Sequence, residues 1–184
     1  MKNIVPLVLT LIWSLPLQAD EQPIEGAFGL TLGKPLATEN LKRIAGDQSG
    51  GEYEFAPEHP YAPLSHYSVA VSGHDHIIYK IEARGSFRSM EACRRELVIL
   101  EKSLAQKYLK TSEQVTTKFG EIPRIRFGAA PRRIHGMCAG GFFQKELTLT
   151  YLDEEIVATT REHSSTEQEA GVGESESRRD TSGL

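Results

Sequence analysis

The chain contains little tryptophan and few cysteines. Among its 184 residues there are one Trp and two Cys. Trp13 falls in an N-terminal apolar segment, so a contact surface elsewhere must take its aromatic side chains from Tyr and Phe. Sugar-stacking sites and interface hot spots favour Trp, and its scarcity therefore weighs mildly against a sugar-binding module.

The local motifs of common enzyme classes are also absent from the sequence. No Gly-x-Ser-x-Gly elbow, Ser-x-x-Lys pair, His-Glu-x-x-His motif or phosphate-binding glycine loop occurs. Carboxylates stand at Glu52 and Glu54 and again at 153–155, but a glycosidase needs two carboxylates facing each other across a cleft. Whether such a cleft exists depends on the fold and is not visible in the sequence. We therefore favour a protein that uses no cofactor and is not an enzyme, with an enzyme kept as the alternative.

A net positive charge is lacking as well. The formal net charge of the chain is −4 at pH 7. Nucleic-acid-binding domains usually carry a strong positive balance, so the charge gives no reason to expect a nucleic-acid partner.

The first residues have the pattern of a secretory signal peptide. Lys2 precedes an apolar run over residues 4–17, which is 14 residues long and shorter than the ~20 that span a bilayer as a helix. Pro16 breaks the run near its end, and Ala19 is a small residue at a suitable cleavage position. The pattern predicts a signal peptide at 1–19 and a periplasmic or secreted protein that is not an integral membrane protein after cleavage.

The composition changes again near the C-terminus. Residues 159–184 contain very few apolar side chains, so this segment cannot bury enough surface to offset its ordering entropy. We expect a disordered tail at 159–184 and a single folded domain at 20–158. The six acids of the tail outnumber its three arginines and are Glu162, Glu167, Glu169, Glu174, Glu176 and Asp180.

The first half of the domain shows two short elements and one hairpin. Residues 28–33 indicate a short strand or extended arm, and Ala37, Leu41 and Ile44 have the spacing of a short helix over residues 38–45, with Thr38 as its cap. Residues 66–84 alternate apolar and polar side chains on both sides of a turn at 72–75, which predicts a β-hairpin.

The second half begins with the pattern of a long helix over residues 88–110, whose apolar residues recur every three or four positions. Strands are expected at 114–119 and 122–128, followed by a second hairpin at 133–138 and 145–152. Together these elements predict an α+β fold: a two-layer sandwich of a mostly antiparallel sheet with one long and one short helix on one face.

The two cysteines are expected to form one disulfide bond. Cys93 lies on the apolar stripe of the long helix, and Cys138 has the strand parity of Ile134, which faces the core. A helix packed on the sheet would bring the two together, and export favours a disulfide. The alternative is a reactive thiol, because Arg94 and Arg95 adjoin Cys93 and could favour a thiolate.

Histidines offer a weak metal-binding alternative. His74 and His76 are separated by one residue, so on a strand they would share a face and could bind zinc with a third ligand such as His66. The ordinary interpretation is that His74 belongs to a turn and His76 to a strand end. A third ligand with convincing spacing is missing, so no metal site is predicted.

A cluster of basic residues is the candidate binding site. Between residues 118 and 133 five basic residues stand against Glu121 alone, a local charge of +4, and two more are expected on the same sheet face. Arginine suits phosphate and carboxylate groups, although a charged outer face also keeps ordinary strands soluble. The residues are Lys118, Arg124, Arg126, Arg132, Arg133, Lys80 and Arg84.

Two functional hypotheses follow from these patterns. The first is an exported, non-enzymatic module that binds a protein or an anionic envelope component such as a lipid headgroup or an acidic polysaccharide. The alternative is a hydrolase acting on an envelope polymer, with His66, His74 or His76 and a nearby carboxylate in its site. An enzyme should gather polar side chains in a concave pocket, whereas a binding module should present a flat or convex patch.

Overall fold

A computed structural model describes residues 22–47, 50–73, 75–111, 116–117, 120–140 and 144–160. The predicted signal peptide lies outside these residues, as does the tail predicted at 159–184 apart from its first two residues, which are helical, and both segments remain predictions. The strands and the long helix are β1 (Gly26–Ala27), β2 (Leu30–Thr31), β3 (Lys42–Asp47), β4 (Gly50–Glu54), β5 (His66–Ser72), β6 (Ile78–Phe87), α1 (Met90–Leu104), β7 (Thr116–Thr117), β8 (Gly120–Glu121), β9 (Arg124–Phe127), β10 (Arg132–Ala139) and β11 (Lys145–Asp153).

Seven of the strands form one antiparallel sheet in the order β3-β4-β5-β6-β11-β10-β9. Buried and outward residues alternate along β11 and along β6 from Lys80 onward: Ile81 and Ala83 of β6 and Leu147 and Leu149 of β11 are buried. The antiparallel pairing of β5 with β6 and of β10 with β11 confirms both predicted hairpins.

The helix α1 covers the buried face of the sheet. Ser89 caps its first turn, because the Ser89 hydroxyl accepts a hydrogen bond of 3.1 Å from the Ala92 amide. Its apolar stripe of Cys93, Leu97 and Leu100 packs on β9, β10, β11 and β6. The result confirms the predicted α+β two-layer architecture.

The disulfide joins the two layers. Cys93 of α1 and Cys138 of β10 are bonded, their Cα atoms are 6.0 Å apart, and both residues are fully buried. The predicted pairing is therefore confirmed, and the reactive-thiol alternative does not apply to a bonded pair.

Residues 22–36, here called the N-terminal arm, contribute to the same hydrophobic core, in which Ile24 and Leu32 are buried. The arm turns back through Phe28 and Gly29, both with positive φ (55° and 85°), which is the geometry of a two-residue hairpin turn. The Phe28 ring packs edge-on against Tyr67 at 5.0 Å and Tyr151 at 6.3 Å. The arm then reaches the start of β6, where the Ile78 amide donates to the Lys34 carbonyl.

The predicted short helix at 38–45 is wrong. Residues 42–47 form the edge strand β3, which pairs with β4 around a bulge between Arg43 and Ala45. All six residues of β3 are exposed, so the spacing of Ala37, Leu41 and Ile44 does not mark a buried face. The short helix of the fold is instead at 154–160, where the Asp153 carboxylate accepts from the Ile156 amide.

The strand expected at 122–128 is shorter in the structure, and four residues of the one expected at 114–119 lie outside the described residues. The described residues form the small pair β7–β8 and the strand β9, with Ile125 and Phe127 buried as predicted. Among the described residues, no helix is long and apolar enough to cross a membrane.

Candidate functional site: the outer face of the sheet

The candidate site lies on the face of the seven-stranded sheet that points away from α1, here called the outer face. The antiparallel register fixes which residues of neighbouring strands lie opposite each other, so these residues form rows across the outer face. One such row runs through Glu82, Thr150, His135 and Arg126, on β6, β11, β10 and β9. The parity of β9 therefore places Arg124 and Arg126 outward, as the sequence predicts.

The β4–β6 half of the outer face is electrically neutralised. Lys80 lies 3.3 Å from Glu52 and 3.7 Å from Glu82, and Arg84 lies 3.1 Å from Glu82. Ser68 also donates a hydrogen bond of 2.7 Å to Glu52. Lys80 and Arg84 do share the outer face, but their charges are already matched by carboxylates.

The pKa of Glu52 reflects the same contacts. Burial raises this pKa, but the hydrogen bond from Ser68 and the positive charge of Lys80 lower it by more, so it lies below its ordinary value. Glu52 therefore stays ionised near neutral pH and holds Lys80 in place.

The β9–β10 half, here called the basic half, has a different charge balance. Its outward positions on the two strands include three arginines and no carboxylate, and they are Arg124, Arg126, Arg133, His135, Met137 and Ala139. Glu154, at the start of the short helix, lies 3.1 Å from Arg133 at the rim. The structure thus brings together three of the predicted basic residues on one surface.

His135 lies at the centre of the basic half. It pairs across the strands with Arg126 on one side and Thr150 on the other, and Arg133 is two residues away on the same face. Its Nε2 atom is buried and has no hydrogen-bond partner among the described residues. Burial lowers the pKa of His135, as do the charges of Arg126, Arg133 and Arg124, while Glu154 opposes them, and the net direction is down.

Sequence reasoning did not single out His135. The signal was present, however, because a strand over 133–138 places residue 135 on the face of Arg133 and opposite Ile134. What the sequence does not give is the pairing of His135 with Arg126, which depends on the register between β9 and β10.

Arg132 belongs to the other face of β10. Its guanidinium donates to the Asp153 carboxylate at 2.9 Å and to the backbone carbonyls of Ile24 and Leu32 at 3.2 and 3.1 Å. The structure therefore separates Arg132 from the basic half and makes it the anchor of the N-terminal arm. Lys118, the remaining predicted member, lies outside the described residues.

Of the histidines in the metal hypothesis, His66 and His76 do not come together. His66 begins β5 and His76 precedes β6 at the opposite end of the same hairpin, so the length of β5, about 20 Å, separates them. His74 lies outside the described residues. Within the described part of the chain, no group of three or more His, Cys, Asp or Glu residues could hold a metal ion.

A shallow groove of about 270 Å³ beside His66 is where the hydrolase hypothesis would place its site. Glu54, Ser68 and Arg84 line it. A serine nucleophile needs its hydroxyl within hydrogen-bond reach of a histidine base. The Ser68 hydroxyl instead donates to Glu52 and is almost fully buried, so Ser68 is not such a nucleophile. His66 and the Glu54 carboxylate both line the groove, and a hydrolase that uses a histidine and a carboxylate stays a prediction.

Comparisons of the chain with protein-family models, with curated proteins and with solved structures find no match. Function therefore has to be argued from the outer face itself.

Proposed function

We propose that the chain is an exported, non-enzymatic binding module that holds an anionic component of the cell envelope on its basic half. One observation carries the proposal: β9 and β10 turn Arg124, Arg126 and Arg133 to the same surface without a carboxylate among the outward residues of either strand. On the other half of the face, Lys80 and Arg84 lie beside the outward carboxylates Glu52 and Glu82 of the sheet itself.

The geometry suits a ligand that carries several anionic groups. Arg124 and Arg126 are two residues apart along β9, about 6.6 Å, and β10 lies about 4.8 Å to the side. Each guanidinium presents a planar fork of donors that matches phosphate, sulfate or carboxylate oxygens. A row of headgroups or a charged polysaccharide would meet such a surface without needing a deep pocket.

Two features support the exported location within this proposal. The N-terminal residues have the composition of a signal peptide, and the Cys93–Cys138 disulfide is of a kind that persists in oxidising compartments. The anions accessible there include lipid headgroups and acidic polysaccharides, which share the oxygen-rich chemistry that guanidinium groups recognise.

Cosedimentation with lipid vesicles tests the proposal. The probe is the mature chain from Asp20 onward, mixed with phosphatidylcholine vesicles that contain or lack phosphatidylglycerol; dextran sulfate in a parallel titration represents a polysaccharide source. We expect binding only to the anionic vesicles or to dextran sulfate, and weakening at high salt because exposed charges are screened.

The outer face supplies a matched pair of variants. Replacing Arg124 and Arg126 with Ser should reduce binding by at least about tenfold, since each charged contact contributes about 1 kcal/mol near a charged surface. Replacing Lys80 and Arg84 with Ser removes the same charge from the neutralised half and should leave most binding intact. Equal losses in the two variants, or no binding of either probe by the wild type, would overturn the proposal.

A further inference from the structure

The position of His135 makes the basic half sensitive to protons. Three arginines on the same face carry charges that act on the imidazole: Arg126 opposite it on β9, Arg124 further along β9, and Arg133 two residues before it on β10. Protonating His135 without a ligand would add a fourth positive charge to this cluster, and buried Nε2 has no acceptor among the described residues. The free protein therefore holds His135 in its neutral form near neutral pH.

The remaining neighbours of His135 do little to change this balance. Thr150 on β11 is uncharged, and its hydroxyl lies 3.5 Å from Glu82 of β6, one strand further away. Glu154 is the one described carboxylate whose charge acts on His135 in favour of protonation, and it is engaged by Arg133 at 3.1 Å. The arginines thus dominate the electrostatic environment of the imidazole.

An anion on the basic half would reverse that environment. Its negative charge would offset the arginines that disfavour the imidazolium, so the protonated form of His135 would become more stable in the complex than in the free protein. We propose that binding at this site is linked to a proton: His135 takes up one proton when an anion occupies the basic half, and becomes the fourth cation of the site. This inference rests on the proposed function and adds its regulation by pH.

Proton linkage has a fixed consequence for affinity. If binding takes up one proton, affinity must rise as pH falls, by at most about tenfold per pH unit. The affinity should change with pH mainly between the titration midpoint of His135 in the free protein and its midpoint in the bound protein. The arginines stay charged throughout this interval, so they contribute binding but no pH dependence.

The test uses dextran sulfate, because its sulfate esters stay ionised and any pH dependence then arises from the protein. The first readout is the NMR titration of the His135 imidazole in the wild-type mature chain, with and without dextran sulfate. We expect the midpoint to rise when the polymer is present. This measurement needs no variant and so does not depend on how a substitution folds.

The second readout compares affinities across pH in three proteins. Wild type should bind dextran sulfate several-fold more tightly at about pH 5.5 than at about pH 7.5, within the one-proton limit. His135→Gln should lose most of that increase, whereas His66→Gln, which removes a histidine from the neutralised half, should retain it. The pH-independent part of the binding should survive in both variants.

The outcomes separate the two proposals. An unchanged His135 midpoint in a protein that does bind dextran sulfate would overturn the proton linkage and leave the proposed function standing. An equal pH dependence in wild type and His135→Gln would do the same. Failure of the wild type to bind dextran sulfate and anionic vesicles at every pH would overturn both.

Discussion

Replacing Arg132 with Ala should destabilise the fold strongly, although the sequence groups Arg132 with the basic residues of the candidate binding site. The substitution leaves the Asp153 carboxylate, whose side chain is 6% exposed, without its 2.9 Å partner. It also removes a donor from the carbonyls of Ile24 and Leu32, where the N-terminal arm meets the sheet. Breaking a buried ion pair costs about 3–5 kcal/mol. Since the Arg132 side chain is 32% exposed, we expect a smaller loss of about 2–3 kcal/mol.

The neighbouring residue provides the control for this prediction. Arg133 faces the other side of β10 and pairs with Glu154, with both side chains about one-third exposed. Arg133→Ala should therefore cost no more than about 1 kcal/mol. The assay is urea denaturation of both variants and wild type, followed by the free energy of unfolding extrapolated to water. Equal losses in the two variants would refute the assignment of Arg132 as the anchor of the arm.

Two further predictions concern the disulfide and pH. Replacing Cys93 and Cys138 with Ala should lower the free energy of unfolding by about 4 kcal/mol, because the bond closes a loop across 45 residues of sequence. Equal free energies of unfolding in the variant and the wild type under non-reducing conditions would contradict the bond. The pKa of His135 in the folded protein lies below that of an unfolded histidine, which is about 6.5. Below about pH 6.5 the unfolded chain therefore binds more protons at this residue than the folded protein does, and His135 lowers the free energy of unfolding as pH falls. Without ligand, the free energy of unfolding of the wild type, measured by urea denaturation, should fall more between about pH 7.5 and about pH 5.5 than that of His135→Gln. A larger fall in His135→Gln would contradict the lowered pKa of His135.

The parts of the fold that could be predicted from sequence are those with a strong hydrophobic period. The hairpin of β5 and β6 and the helix α1 each bury one complete face, so their residues repeat every two or every three to four positions. The edge strand β3 buries none of its residues and leaves no such pattern. The spacing of Ala37, Leu41 and Ile44 matched a helix by chance, and the pairing of β3 with β4 overrode it.

The sequence predicts which residues of the candidate site face outward, because side chains alternate between the two faces along each strand. Arg124 and Arg126 alternate with buried Ile125 and Phe127, so their outward placement follows from the sequence. The same rule places the adjacent residues Arg132 and Arg133 on opposite faces, which grouping them by charge alone overlooks. Contacts between strands do not follow from local sequence.

Those contacts decide which charges are matched. Glu52 meets Lys80 only because β4 joins the sheet beside β5, so the long side chains from β4 and β6 meet over Ala70. The neutralised half of the outer face therefore depends on register and strand order, as does the position of His135 beside Arg126.

The most direct test of the account is to observe which arginine side chains respond when an anion binds. NMR spectra of the guanidinium Nε–H groups, recorded during a titration with dextran sulfate, would show this for the wild-type chain from Asp20 onward. We expect the resonances of Arg124, Arg126 and Arg133 to shift together, while that of Arg132 stays in place because it is held by Asp153 and the N-terminal arm. Shifts confined to Arg84, or equal shifts of all exposed arginines, would contradict a binding site on the basic half.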